Sequence, residues 1–153
     1  MDYTTWIALF GKSATDPAVV SALAAANVTK ALVIASDELG VSADIPNSGM
    51  TIGFTDESVL SPATGLIGKP ILTSVLMILH HPSRRDIYTG PLPLNLVKAT
   101  SREDMRKRFG APVSFDEDMG WDSWLVENHQ VTATYRKDWQ SIARLSLKVP
   151  ASD

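Results

Sequence analysis

Residues 121–149, WDSWLVENHQVTATYRKDWQSIARLSLKV, decide the fold. Val131, Ala133 and Tyr135 alternate with Thr132, Thr134 and Arg136, the two-residue period of a strand buried on one face. Just upstream, residues 121–127 read as a partner strand, joined through a two-residue turn at Asn128-His129. Downstream, past Lys137-Asp138, residues 140–149 read as a last strand with Ala143, Leu145, Leu147 and Val149 on one face. Three short strands with tight connections predict an antiparallel meander.

Working outward, a capped helix precedes the meander. Ser101 is its N-cap, Asp104 stands at the third helical position, Met105 and Phe109 form an apolar pair, and Gly110 and Pro112 end it. The first half repeats the order. Asp16 caps a helix over residues 17–26 with Pro17 at its first position, Val19, Val20, Leu23 and Ala24 on one stripe, and Asn27 at its close. Strands are predicted over 41–46, 50–55 and 71–79, the last apolar on both faces and therefore central, with 31–35 as a further strand. Residues 56–69 read as a loop, and 80–95 as a connector. Residues 50–55 match 130–135, and 71–79 match 141–149, in pattern but not in sequence. The expected architecture is α+β: tandem helix-plus-three-strand units, 1–89 and 90–153, forming one compact domain around a curved antiparallel sheet with helices on one face.

A chain of 153 residues, 44% apolar and 20% charged, is long enough to bury a core without staples. It has no cysteine, so neither disulfides nor thiolate metal sites are available. The acidic start, Met1-Asp2, lacks the basic region of a signal peptide, and the longest apolar run, 71–79, is far too short for a membrane span, so a cytoplasmic protein is expected. A net charge of −3 argues against a phosphate-neutralising nucleic-acid surface.

The second half carries Gly90-Pro91-Leu92-Pro93-Leu94-Asn95-Leu96, then Ala99-Thr100-Ser101-Arg102-Glu103-Asp104-Met105-Arg106, then Phe109-Gly110-Ala111-Pro112. This cadence resembles small bacterial proteins encoded beside polymorphic toxins, and the helix-plus-meander unit resembles the repeat of β-lactamase-inhibitor proteins and of the small outer-membrane assembly lipoprotein. Asp16-Pro17-Ala18-Val19 is similar to the opening of the same proteins, whereas Asn95 stands where glycine is usual and Ala99-Thr100 replaces Gly-Met. The resemblance implies an immunity protein that neutralises a cognate toxin by occluding its active site, with no turnover and no cofactor.

Few residues suggest chemistry. His80 and His81 are adjacent and read as a strand terminus, and on a strand they would point to opposite faces; a role with Asp86 in catalysis, or in holding a metal, is the weaker reading. Arg84-Arg85 near Tyr88 form a candidate phosphate grip, although such pairs are usually solvated, and His129 is expected to be solvated in its turn. Phosphate-loop, dinucleotide and nucleophile-elbow motifs are absent. The stronger pattern pairs acids with aromatics: Asp116, Glu117, Asp118 and Asp122 beside Trp121 and Trp124, with Asp37 and Glu38 flanking the matching strand of the first half. An acidic rim around aromatic anchors suits a toxin with a basic active-site surface. Together with Arg136 and the threonines on the outward faces, these are the candidate partner-binding residues. No nucleic acid, membrane or metal is expected, and exposed edge strands leave dimerisation open. The alternative is a stand-alone regulatory or ligand-sensing module using a cavity between helix and sheet.

Overall fold

The computed structural model describes residues 1–60, 68–83 and 86–150. Helix α1 (Tyr3–Ile7) starts at Asp2, whose carboxylate accepts the Thr4 N–H. Helix α2 (Pro17–Ala25) starts at Asp16, which accepts the Ala18 N–H at 2.9 Å, and Asn27 closes it at φ 58°. Its inward stripe is Val19, Ala22, Leu23 and Ala26, while Val20 is 50% exposed and Ala24 faces out. The helical period continues from 19 through 22 and 23 to 26, which turns the adjacent 20 and 24 away from the sheet.

Residues 31–35 do not form the expected strand. They run irregularly toward β1 (Gly40–Ile45), with Ile34 buried and Val33 74% exposed. At the edge they would join, Lys30 Nζ donates to the Ser42 carbonyl at 2.6 Å, placing a charge on that strand edge.

After β1 come β2 (Met50–Asp56), the short helix α3 (Glu57–Leu60) and β3 (Pro70–Ile78). The predicted loop 56–69 thus contains a helical turn. Asp56 anchors it by accepting the N–H groups of Ser58 and Gly68, which hold its carboxyl below the usual range. Residues 61–67 of that loop, and the Arg84-Arg85 pair, lie outside the described residues. A 3-10 turn at Pro93–Asn95 leads to helix α4 (Arg102–Phe109), capped by Ser101 through the Asp104 N–H and closed by Gly110 at φ 82°. The strands β4 (Ser114–Asp116), β5 (Trp121–Val126), β6 (His129–Tyr135) and β7 (Ile142–Lys148) complete the chain. Among the described residues no helix is long and apolar enough to cross a membrane.

The seven strands form one open antiparallel sheet in the order β1-β2-β3-β7-β6-β5-β4. The two meanders therefore meet where β3 pairs with β7. The three-residue β4 was not foreseen; its length is below what alternation can reveal. The β5–β6 turn falls one residue earlier than expected. Glu127 and Asn128, at φ 50° and 67°, supply the two left-handed positions that a tight hairpin needs. His129 consequently lies on β6, its ring edge-on to Phe10 at 5.9 Å, and not in a solvated turn.

Register fixes two faces. On one, Ile45, Met50, Met77, Leu145, Ala133, Asp122 and Phe115 are successive cross-strand neighbours. Trp6 of α1, Val19 of α2 and Met105 of α4 belong to the same core as the in-facing strand residues. On the other face the corresponding row is Asp44, Thr51, Leu76, Ser146, Thr132, Ser123 and Ser114. Bulges at Thr73 and Ala143 interrupt this alternation, which is why Ile142 turns inward and Ala143 does not.

Candidate functional site

The expected acidic rim is turned largely onto the protein itself. Asp122 is 1% exposed, directly opposite Ala133 in the apolar row. A carboxylate is tolerated there because Arg106 neutralises it: Nη2 donates to Oδ1 at 2.6 Å and Nε to Oδ2 at 3.0 Å. The Tyr135 hydroxyl donates to the same carboxylate at 3.0 Å. Burial first, and then the adjacent Asp122 charge, push the Tyr135 phenol far above its ordinary range. Trp124 is also interior, 2% exposed; its Nε1 donates to the Gly110 carbonyl at 3.0 Å and its ring lies 5.8 Å from that of Phe109. Both residues were expected at a partner surface. They fall in the core because the in-facing phase of β5 runs through 122 and 124.

The remaining acids divide. Glu117 pairs with Arg102 at 2.9 Å and lies 3.9 Å from Arg106. Asp116 accepts the Met119 N–H at 2.9 Å, closing the β4–β5 turn. Asp118 is exposed and makes no side-chain hydrogen bond or ion pair among the described residues. Asp37 and Glu38 are exposed before β1, and five strands separate β1 from β4, so the two acidic groups are not brought together. Trp121 is half-buried on the helix-free face, across from Thr134.

That face is polar and largely half-buried, with Ser123 fully enclosed among its neighbours. Its hydroxyls are linked in pairs: Thr51 Oγ1 donates to Asp44 at 2.7 Å, Ser123 and Thr132 share a 3.0 Å bond, and Gln130 donates to Ser123 at 3.1 Å. Arg144 and Lys148 stand exposed on β7, and Leu125 is 61% exposed on β5. Six inter-strand steps of about 4.8 Å, and strands of about 20 Å, give at most roughly 600 Å² of surface. That approaches the ~800 Å² per partner of a standard interface, so bordering loops must contribute the rest.

At one end of the sheet, where β3 and β6 finish and β7 begins, a cavity of about 570 Å³ opens between His80, His81, Arg136, Lys137, Asp138 and Arg144, among others. The two histidines were expected to point apart. They share one cavity because β3 ends at Ile78; the N–H groups of Leu79 and His80 then both donate to the Ala143 carbonyl, at 2.8 and 3.0 Å, which bends the chain out of strand geometry. Ser83 donates its N–H to His81 Nδ1 at 3.2 Å. Burial first, and then Arg136, Lys98 and His81, hold the His80 imidazole below its ordinary pKa. Asp86 does not line this cavity, so the cavity does not bring it to His80 and His81 as the weaker, catalytic reading would require. Among the described residues no three His, Asp or Glu side chains are grouped to hold a metal ion. That Arg144 and Lys137 line this cavity was not foreseen, although the hairpin register that pairs Thr134 with Arg144 was the signal available.

The cavity between α1 and the sheet, lined by Tyr3, Ile7, Val131 and Leu147 among others, measures only about 120 Å³. That is well under the ~300 Å³ at which small-molecule sites begin.

Compared with known protein families, curated proteins and solved structures, the chain has no match.

Proposed function

We propose that this chain is a binding protein without turnover, an immunity protein in the sense of the sequence resemblance, and that it presents the helix-free face of its sheet to a cognate protein toxin. One observation carries the reading: an open seven-stranded sheet packs α1, α2 and α4 on one face, and its other face bears a row of half-buried Thr, Ser and Leu side chains around the buried Ser123. Paired hydroxyls on rigid strands lose little conformational freedom when they meet a partner, which favours recognition over large rearrangement. Trp121 and Leu125 on this face supply apolar anchors, and Arg144 and Lys148 supply charge. The acidic contribution narrows to Asp118, because Glu117, Asp116 and Asp122 are engaged internally. Asp118 would steer association more than hold the complex, as rim charges do.

The test separates these roles. Thr132→Arg with Ser146→Arg, cross-strand neighbours in the middle of the face, should abolish the complex at a modest cost in thermal stability, since the like charges face each other and the Ser123–Thr132 bond is lost, while the chain stays folded. Asp118→Lys should slow association at low salt only. Binding that survives the double arginine variant would move the partner to another surface.

A further inference from the structure

We infer that the cavity at the end of the sheet is a binding site for a small phosphorylated ligand carrying at least two phosphoryl groups. The inference does not depend on the partner surface proposed above. Its basis is a concentration of unpaired positive charge on a chain whose net charge is −3. Arg136, Lys137 and Arg144 line the cavity with His80 and His81, and no carboxylate lies within ion-pair distance of any of these three cations among the described residues. By contrast, Arg102 and Arg106 on α4 are both paired. The one acid in the lining, Asp138, accepts the Gln140 N–H at 3.1 Å within its own turn.

The backbone holds these cations close together. Arg136 donates its N–H to the Ser141 carbonyl at 2.9 Å, and Arg144 is the cross-strand neighbour of Thr134. Both therefore flank one hairpin, and the chain leaving β3 brings the imidazoles to the same opening. These cations are exposed, so gathering them costs the fold little, while the concave opening focuses their positive potential on an arriving anion. The depressed His80 imidazole, facing Arg136, Lys98 and His81, is a consequence of that uncompensated field as well as of burial.

Size and donor count select the ligand class. A cavity of about 570 Å³ lies within the range of small-molecule sites and exceeds what one inorganic ion fills. Two guanidinium forks and an ammonium offer more N–H donors than a single carboxylate can accept, whereas a diphosphate presents oxygens to all of them. An imidazole kept neutral at pH 7 can donate or accept, and it gains a proton when an anion arrives.

The test uses the intact chain and inorganic pyrophosphate at low salt, followed by calorimetry and by the imidazole NMR signals of His80 and His81. The expected result is one site, shifts confined to those imidazoles and their neighbours, and affinity lowered at least about tenfold by Arg136→Ala with Arg144→Ala. Both arginines are exposed, so that variant should retain its melting temperature. Unshifted imidazoles in the unmodified protein, or unchanged affinity in the folded double variant, would overturn the site. Citrate binding as tightly as pyrophosphate would overturn the phosphoryl assignment. Tighter binding of a single-stranded oligonucleotide would overturn the small-ligand assignment in favour of nucleic acid.

Discussion

Arg106 grips Asp122 with two hydrogen bonds, at 2.6 and 3.0 Å, and so ties α4 to the in-facing side of β5. Asp122 is almost fully buried, whereas the Arg106 side chain keeps 34% of its surface in water. The pair therefore acts as a plug: the carboxylate pays desolvation in full and the guanidinium only in part.

Removing the cation alone should be costly. Arg106→Met leaves a buried carboxylate with Tyr135 as its only strong donor, and should lose about 2–4 kcal/mol in urea unfolding. That range lies below the cost of opening a fully buried pair because Arg106 is partly solvated. Asp122→Asn should cost less, since it removes the buried charge itself; its single oxygen can still accept, although its NH2 then faces an Arg106 N–H in place of the second carboxylate oxygen. Equal losses for the two variants would show that charge burial is not what the pair manages.

Tyr135 adds an alkaline signature. Its folded-state pKa is raised, so above pH 10 the unfolded chain releases the phenolic proton while the folded chain retains it. The corresponding stability is complete below pH 10 and is lost as pH rises beyond it. Tyr135→Phe should lose about 1 kcal/mol at neutral pH and show a shallower decline in alkaline melting curves.

His80 should act at the opposite end. Its folded-state pKa is depressed, so the unfolded chain takes up a proton near pH 6.5 while the folded chain resists it. Stability should fall as pH drops below about 6.5, and His80→Gln should flatten that part of the profile. A profile unchanged by the substitution would remove His80 as its source.

Gly49 should tolerate no side chain. It sits at φ 71°, its carbonyl accepts the Ile78 N–H at 2.8 Å, and a Cβ there would lie 2.1 Å from the Tyr88 nitrogen. Since Tyr88 N in turn donates to the Ile78 carbonyl, the clash involves backbone that is held on both sides. Gly49→Ala should cost at least about 2 kcal/mol by thermal unfolding, whereas Gly11→Ala, at φ 89° with open space around it, should cost only its backbone strain.

Much of the fold was legible because caps and alternation are local. Asp16, Ser101, Asn27 and Gly110 act where their chemistry places them, and Val131, Ala133 and Tyr135 face inward as their period requires. The candidate site was legible only in part. Period-2 alternation marks faces but carries no information about which helix supplies Arg106 to Asp122, so an internal ion pair read as a surface acid. The predicted strand 71–79 ends within one residue of β3, but strand alternation does not describe residues past a strand end, so the shared direction of His80 and His81 was not legible. Residues 31–35 failed for a related reason: propensity favoured a strand, but Lys30 places a charge on the edge it would join.

The central claim is that the helix-free face binds a protein toxin. The most direct measurement mixes the purified chain with the product of the adjacent reading frame and follows both by size-exclusion chromatography, alongside growth of cells expressing that product. The expected result is a stable one-to-one complex, protection of the cells, and loss of both in the Thr132→Arg, Ser146→Arg variant. Separate elution, with the neighbouring product harmless to cells, would contradict it.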